Sequence, residues 1–172
     1  MTAGTPTPDR LSIRKAELAD AAAISRFNQA MALETEGKAL LPDVVDAGVL
    51  RLLQQPSFGF YVVAADAGRI VACLLVTHEW SDWRNGLFWW IQSVFVEADW
   101  RRRGVYRDLY DHVQMLADAQ GGVCGFRLYV EKDNAVAQQT YAALGMAPTD
   151  YLIYEQMRPG VRYLVERAAT AA

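Results

Sequence analysis

The stretch Val94-Phe95-Val96-Glu97-Ala98-Asp99-Trp100-Arg101-Arg102-Arg103-Gly104-Val105-Tyr106 decides how this chain is read. It begins at the end of a nearly continuous apolar run, Leu87 to Val96, the pattern of a central strand covered on both faces. It ends where Val105, Leu109, Val113 and Leu116 recur at helical spacing. Between strand and helix stand three consecutive arginines and a glycine. A helix start leaves backbone N–H groups unpaired and carries a partial positive charge. Glycine lets a bulky anion approach the main chain, and arginine adds charge-assisted hydrogen bonds. Strand, arginine–glycine turn and amphipathic helix in this order suit a cradle for a diphosphate, while a solvated turn at Arg101 to Arg103 accounts for the same residues.

Working outward, the elements alternate in type. Leu11 to Lys15 alternates apolar and polar residues as a short strand does. Asp20 is placed to cap a helix carrying Ile24, Phe27 and Met31 on one face; Gly37 interrupts it and Pro42 opens a second helix to about Leu53. Phe60 to Ala65 and Arg69 to His78 read as strands joined at Asp66-Ala67-Gly68, and Trp80 to Gly86 reads as a polar loop holding tryptophans. Past the Val105 helix, Gly121 and Gly122 stop the periodicity and Phe126 to Val130 reads as a strand. Asp133 or Asn134 caps a helix to Leu144 with Gly145 beyond it, and Tyr151 to Gln156 reads as a last strand. Strand–helix alternation in the second half requires a parallel pair in an otherwise antiparallel sheet.

Composition narrows the function. The chain has 172 residues, 52% hydrophobic and 22% charged, which suits one soluble globular domain. Its 17 Lys+Arg stand against 20 Asp+Glu, a net charge of −3 that disfavours nucleic acid as a partner. No apolar run is long enough to span a membrane, and Met1 to Arg10 lacks a secretory apolar stretch, so those residues read as a disordered leader and the cytoplasm as the location. Cys73 and Cys124, with no CxxC motif, read as buried thiols. With two histidines and no Cys/His cluster, no catalytic metal is expected.

On the quoted stretch the chain resembles the GNAT superfamily of acyl-CoA-dependent N-acyltransferases. Arg101-Arg102-Arg103-Gly104-Val105-Tyr106 is similar to the superfamily's Gln/Arg-x-x-Gly-x-Gly/Ala signature, with Tyr106 where a small residue is usual. Asn134 through Tyr141 to Gly145-Met146 is similar to its Asn-x₆-Tyr-x₃-Gly-Phe segment, with Met146 replacing the aromatic. The resemblance covers about residues 11 to 157, leaving a leader at 1–10 and a C-terminal tail at 158–172. It implies an α/β GNAT fold: a mixed, mostly antiparallel sheet of six to seven strands, splayed between the fourth and fifth, with about four helices.

The resemblance further implies that acetyl-CoA, the co-substrate, enters as a wedge at the splay. Backbone groups of Val94, Phe95 and Val96 would pair with the pantetheine arm. Arg101, Arg102, Arg103, Gly104, Val105, Tyr106 and Arg107 would hold the pyrophosphate. Asn134 would contact the cofactor arm, and Tyr141 would stand beside the thioester sulfur as general acid. The partner is then an amine acceptor, a small cationic amine or a lysine or N-terminal amine.

The elements that wall the acceptor in related enzymes here supply Phe27, Glu34, Glu36, Trp80, Asp82, Trp83 and Trp90. Carboxylates and tryptophans suit a small cation by ion pairing and cation–π contact; surface acids with core or dimer-interface aromatics account for the same residues, and a homodimer fits them. Glu34, Glu36, Trp83 and Gln92 are the acceptor-binding candidates. Gln92 lies twelve residues before Gly104, where some members carry a carboxylate, and an amide takes no proton at neutral pH. The base stays open among Glu79, His78, Glu34 and Glu36; His78 and Glu79 should face opposite sides of their strand. A non-catalytic acyl-CoA-binding sensor is the alternative that Gln92 and Tyr106 leave standing, and Tyr141 argues for the enzyme.

Overall fold

Runs of β-branched and aromatic residues build the sheet. The computed structural model describes residues 11–165. β1 (Ser12–Lys15), β2 (Gly59–Asp66), β3 (Arg69–Ser81), β4 (Gly86–Val96) and β5 (Val123–Arg127) lie side by side in chain order. The first three pairings are antiparallel and β4–β5 is parallel. Ala67 and Gly68 join β2 to β3 with φ of 46° and 85°, the two positive angles whose twist matches a two-residue hairpin. The helices are α1 (Ala21–Glu36), α2 (Pro42–Gln54), α3 (Val105–Gln120) and α4 (Ala135–Ala143).

Alternation sorts the strand residues onto two cores. Val62, Leu74, Val76, Trp89 and Ile91 pack with Leu109 and Val113 of α3. Tyr61, Val63, Cys73, Leu75 and Phe95 pack with Ile24 and Phe27 of α1 and Val49 of α2. Burying each such aliphatic side chain contributes about 1.5–3 kcal/mol. The sheet is thus covered on both faces where it is most apolar.

The splay has a visible origin. β4 and β5 pair from Leu87↔Val123 to Trp90↔Arg127, and no pairing between them follows among the described residues. Just beyond, Ser93 takes a φ of 48° and the β3–β4 register shifts between Cys73 and Leu75. A bulge of this kind bends its strand. The Cys73 thiol, fully buried, lies 3.9 Å from the Ser93 carbonyl that the bulge displaces.

Several expectations need correction. Five strands form among the described residues, not six to seven. Tyr151 to Gln156 is no strand: Tyr151, Leu152, Ile153 and Tyr154 are 67–89% exposed. Four bulky apolar residues in a row lack the alternation that chooses a face, and strand propensity counts for little without a paired neighbour. β5 both starts and ends earlier than the expected Phe126 to Val130, and within it Gly125 passes under the Phe88 ring, where a Cβ would come within 2.7 Å. The expected tryptophan loop at Trp80 to Gly86 is shorter, since β3 runs to Ser81 and β4 starts at Gly86, leaving residues 82–85 between them.

Asp20 does not bond the α1 amides. Its carboxylate accepts from the Arg14 guanidinium at 2.7 and 3.0 Å and from the Glu17 N–H at 2.7 Å, closing the turn before the helix. Cys124 is exposed rather than buried, on the outer edge of β5. No described helix is long and apolar enough to cross a membrane. The leader at 1–10 and the last residues of the tail, 166–172, lie outside the described residues. The nearer part of the tail returns to α2, with Leu41 N donating to Tyr163 O at 2.9 Å and Val165 N to Ala39 O at 2.8 Å.

Candidate active site

The site begins where β4 leaves β5. From Gln92 to Val96 the strand keeps β3 on one edge, through Leu75↔Gln92, Cys73↔Phe95 and Ala72↔Val96, while its other edge faces no strand among the described residues. Alternation turns Val94 and Val96 toward the α3 core and Phe95 toward α1, where it stacks on Phe27 at 4.8 Å. What these residues turn to the gap is main chain rather than side chain, with the Val96 carbonyl taken by Arg101 Nε at 2.8 Å.

The following connection presents a helix start with open backbone amides. Arg102 has φ 61° and Gly104 φ 84°, and a Cβ added at Gly104 would meet nothing within 4 Å. The Asp108 N–H donates to Gly104 O at 3.0 Å, so the amides of Val105, Tyr106 and Arg107 precede the first intrahelical bond. Arg102, Arg103 and Arg107 are exposed and in no ion pair among the described residues, with Arg103 lying 5.2 Å over the Trp100 ring. Open space, unpaired amides and free guanidiniums are what a diphosphate needs.

Arg101 is engaged differently. Its Nη2 donates to Glu34 at 2.7 Å, its Nε to the Val96 carbonyl at 2.8 Å, and its guanidinium lies 5.6 Å over Phe95. It ties α1 to the end of β4 as a strut.

Three tyrosines join α3 to α4. Tyr106 is half-buried, lies near-parallel to Tyr110 at 6.4 Å, and meets the Tyr141 ring edge-on at 5.7 Å. Its hydroxyl is buried without a partner, and burial raises its pKa strongly. Tyr141 is half-buried, and desolvation raises its phenol above the ordinary value, so it stays protonated at neutral pH. Asn134 Oδ1 accepts from Ala137 N at 3.0 Å, the cap that starts α4 and fixes where Tyr141 points.

On the sheet face beyond α1, an open cavity of about 500 Å³ is lined by Thr77, Glu79, Trp90, Gln92, Tyr129 and Tyr154 among others. Gln92 Nε2 donates to Thr77 Oγ1 at 2.6 Å, and the Tyr129 hydroxyl donates to Gln92 Oε1 at 3.4 Å. Glu79 accepts from Arg127 Nη1 at 2.7 and 2.9 Å and from the Trp90 indole. Of the four acceptor-side candidates, Gln92 lines this cavity. Glu34 is held by Arg101, Glu36 by Lys38 at 2.5 Å, and Trp83 stands 83% exposed on the β3–β4 turn, so none of these three lines it. His78 turns the other way, into the ring cluster of Phe60 and Trp89, with Nε2 buried and unpartnered. Burial lowers its pKa and the charge of Lys15 adds to that.

The sequence profile of the acetyltransferase (GNAT) family matches residues 24–146. The chain belongs to this family. A solved structure of a possible acetyltransferase from Clostridium difficile 630 is 42% identical, over 86% of this chain and 97% of that one, with a TM-score of 0.80. Two more distant structures share the GNAT fold. One is a predicted acetyltransferase with acetyl-CoA from Clostridium acetobutylicum, 17% identical over 86% of this chain and 96% of that one, TM-score 0.71. The other is AAC(6')-Iy in complex with the bisubstrate analog CoA-S-monomethyl-acetylneamine, 18% identical over 87% and 99%, TM-score 0.69. A search among curated proteins found no match.

In this GNAT chain the residues that sequence reasoning passed over are Thr77, Arg127, Tyr129 and Tyr154. A signal existed for Thr77: polar residues at 77 and 79 interrupt an apolar strand on one face, as Gln92 does in β4. Tyr129 and Tyr154 sit in irregular segments, where no periodicity marks a face.

Proposed function

We propose that the chain is an acetyl-CoA-dependent N-acetyltransferase that moves the acetyl group to a primary amine by direct attack in a ternary complex. The observation that supports this most is the pairing of an open β4 edge with the unpaired amides of α3, both belonging to one strand–turn–helix connection. Acetyl-CoA supplies a thioester carbonyl carbon. The main chain of Val94 to Val96 lines up its pantetheine arm as an added strand would. The amides of Val105, Tyr106 and Arg107 and the guanidiniums of Arg102 and Arg103 hold its diphosphate. Gly104 leaves room for that contact, and Arg101 acts on it through the strut to Glu34. Asn134 contacts the arm by the amide nitrogen its cap leaves free.

The chemistry then needs little more. A main-chain N–H near Val94 meets the negative charge that develops on the carbonyl oxygen. The C–N bond forms and the nitrogen sheds its second proton to water; the C–S bond breaks, and Tyr141 gives its proton to the departing sulfur and is reprotonated from solvent. Burial keeps the Tyr141 phenol protonated at neutral pH, so it has that proton to give. The attacking ammonium, at about 10.4, first loses a proton to water in the open cavity, while Gln92 orients the nitrogen without taking the proton. The free thiols of Cys73 and Cys124 suit the reducing cytoplasm.

Thiol release from acetyl-CoA across a panel of primary amines tests this reading. Tyr141→Phe should lower kcat on the order of 100-fold with acetyl-CoA affinity little changed; equal kcat in both proteins would remove the acid role. Gln92, its amide already bonded at both ends, favours a second reading as an acyl-CoA-binding sensor. Tight binding without turnover across the panel would select that one.

A further inference from the structure

The cavity beside Gln92 has a composition that chooses among amines. Its aromatic walls are Trp90 and Tyr129, with ring centroids 6.2 Å apart, and Tyr154, 89% exposed at the mouth. The wall carboxylate, Glu79, is neutralised: Arg127 holds it at 2.7 Å and is itself fixed 3.8 Å over the Phe88 ring. Acids on α1 are balanced too, Glu34 by Arg101 at 2.7 Å and Glu36 by Lys38 at 2.5 Å. A polycation binds by collecting carboxylates, and the one that lines this cavity, Glu79, already faces Arg127, a cation that competes for it across a partly exposed pair. An aromatic body needs no such exchange, since ring area against Trp90, Tyr129 and Tyr154 supplies the contact.

One charge does remain available. Glu155, beside Tyr154, forms no ion pair among the described residues. It lies close enough to Tyr129 that, after burial and with Glu36, it helps raise that phenol's pKa. Glu155 follows Tyr154, which lines the cavity, so one carboxylate lies beside it to serve a single ammonium. Behind it, the Thr77–Gln92–Tyr129 hydrogen-bond chain offers neutral partners for one nitrogen.

We infer that the acceptor is a primary monoamine on an aromatic or bulky apolar body, and that polyamines and aminoglycosides are disfavoured because the cavity's wall carboxylate, Glu79, is already paired. This deepens, and rests on, the acetyltransferase reading of the same site.

Steady-state thiol release is measured with phenethylamine, tryptamine, spermidine and an aminoglycoside. The aromatic amines should exceed spermidine in kcat/KM by at least about tenfold. Equal or faster turnover of either polycation overturns the inference. Calorimetric titration of the same amines into CoA-saturated protein separates the two readings. Binding of phenethylamine without turnover supports the cavity assignment while removing the transferase reading; failure of both aromatic amines to bind overturns the assignment whatever the turnover. Arg127→Gln releases Glu79, so spermidine should gain about tenfold in kcat/KM and the discrimination should collapse; undiminished discrimination would overturn the charge argument. Tyr154→Ala, at an exposed position that folding does not use, should weaken the apparent affinity for phenethylamine, read as a higher KM, more than that for spermidine. Equal effects on both would count against the aromatic wall.

Discussion

Replacing Gly104 by aspartate, with asparagine as its control, isolates the electrostatic part of the proposed diphosphate cradle. Gly104 has φ 84° and ψ 0°, and a Cβ there meets nothing within 4 Å. Neither substitution therefore clashes, and both carry the same backbone cost, about 1 kcal/mol for side chains that tolerate the left-handed region. In a chain of this size that lowers Tm by roughly 2–4 °C. The two variants differ by one charge. A carboxylate about 6 Å from one diphosphate charge, at an effective dielectric of about 20, is repelled by about 3 kcal/mol. That is about 100-fold in affinity. The new carboxylate would also draw Arg102, Arg103 and Arg107 onto itself, which adds to the loss. Calorimetric titration of CoA should thus give an affinity about 100-fold weaker for Gly104→Asp than for Gly104→Asn, a gap that narrows as salt rises because the loop is exposed. Equal affinities, with equal Tm values, would refute the placement of the diphosphate at this helix start.

Other outcomes follow from the packing and the titrating groups. Leu109→Ala, at a fully buried position where α3 meets the sheet, should cost about 2–5 kcal/mol in denaturant unfolding, and a loss under about 1 kcal/mol would mean that the α3 core collapses around the gap. Asn134→Ala removes the 3.0 Å cap bond and should cost about 1 kcal/mol, read as faster hydrogen exchange confined to α4; uniform exchange across the fold would contradict a local role. Burial holds the His78 imidazole below its ordinary pKa, so the unfolded chain binds its proton first on acidification. The stability of the neutral form is fully present above about pH 6.5 and is lost as pH falls from there toward the folded-state pKa. Denaturant midpoints at pH 7 and pH 5 should accordingly differ less in His78→Phe than in the parent chain, and identical differences would remove His78 from the acid sensitivity.

Much of this site is legible along the chain because its signals are local. The spacing of Val105, Leu109 and Val113 marks a helix, Gly104 marks its start, and Asn134 with Gly145 brackets the helix carrying Tyr141. Hydrophobic period and capping chemistry act over a few residues, so sequence carries them. The partners of charges are a different matter. Along the chain Glu34 reads as a candidate to meet a cationic acceptor, yet Arg101, 67 residues away, holds it; Glu79 reads as one of several candidate bases, yet Arg127, 48 residues away, does the same to it. Coulomb interaction depends on distance in space and on local dielectric, which the order of residues does not contain. Likewise the apolar run at Tyr151 asks for a strand, and only the assembled sheet shows that no described edge pairs with it. The helices, the strands up to β5 and the arginine–glycine turn were thus legible in sequence alone; which carboxylates remain available, and how far β4 stays bonded to β5, were decided by tertiary structure, because both depend on groups brought together only when the chain is folded.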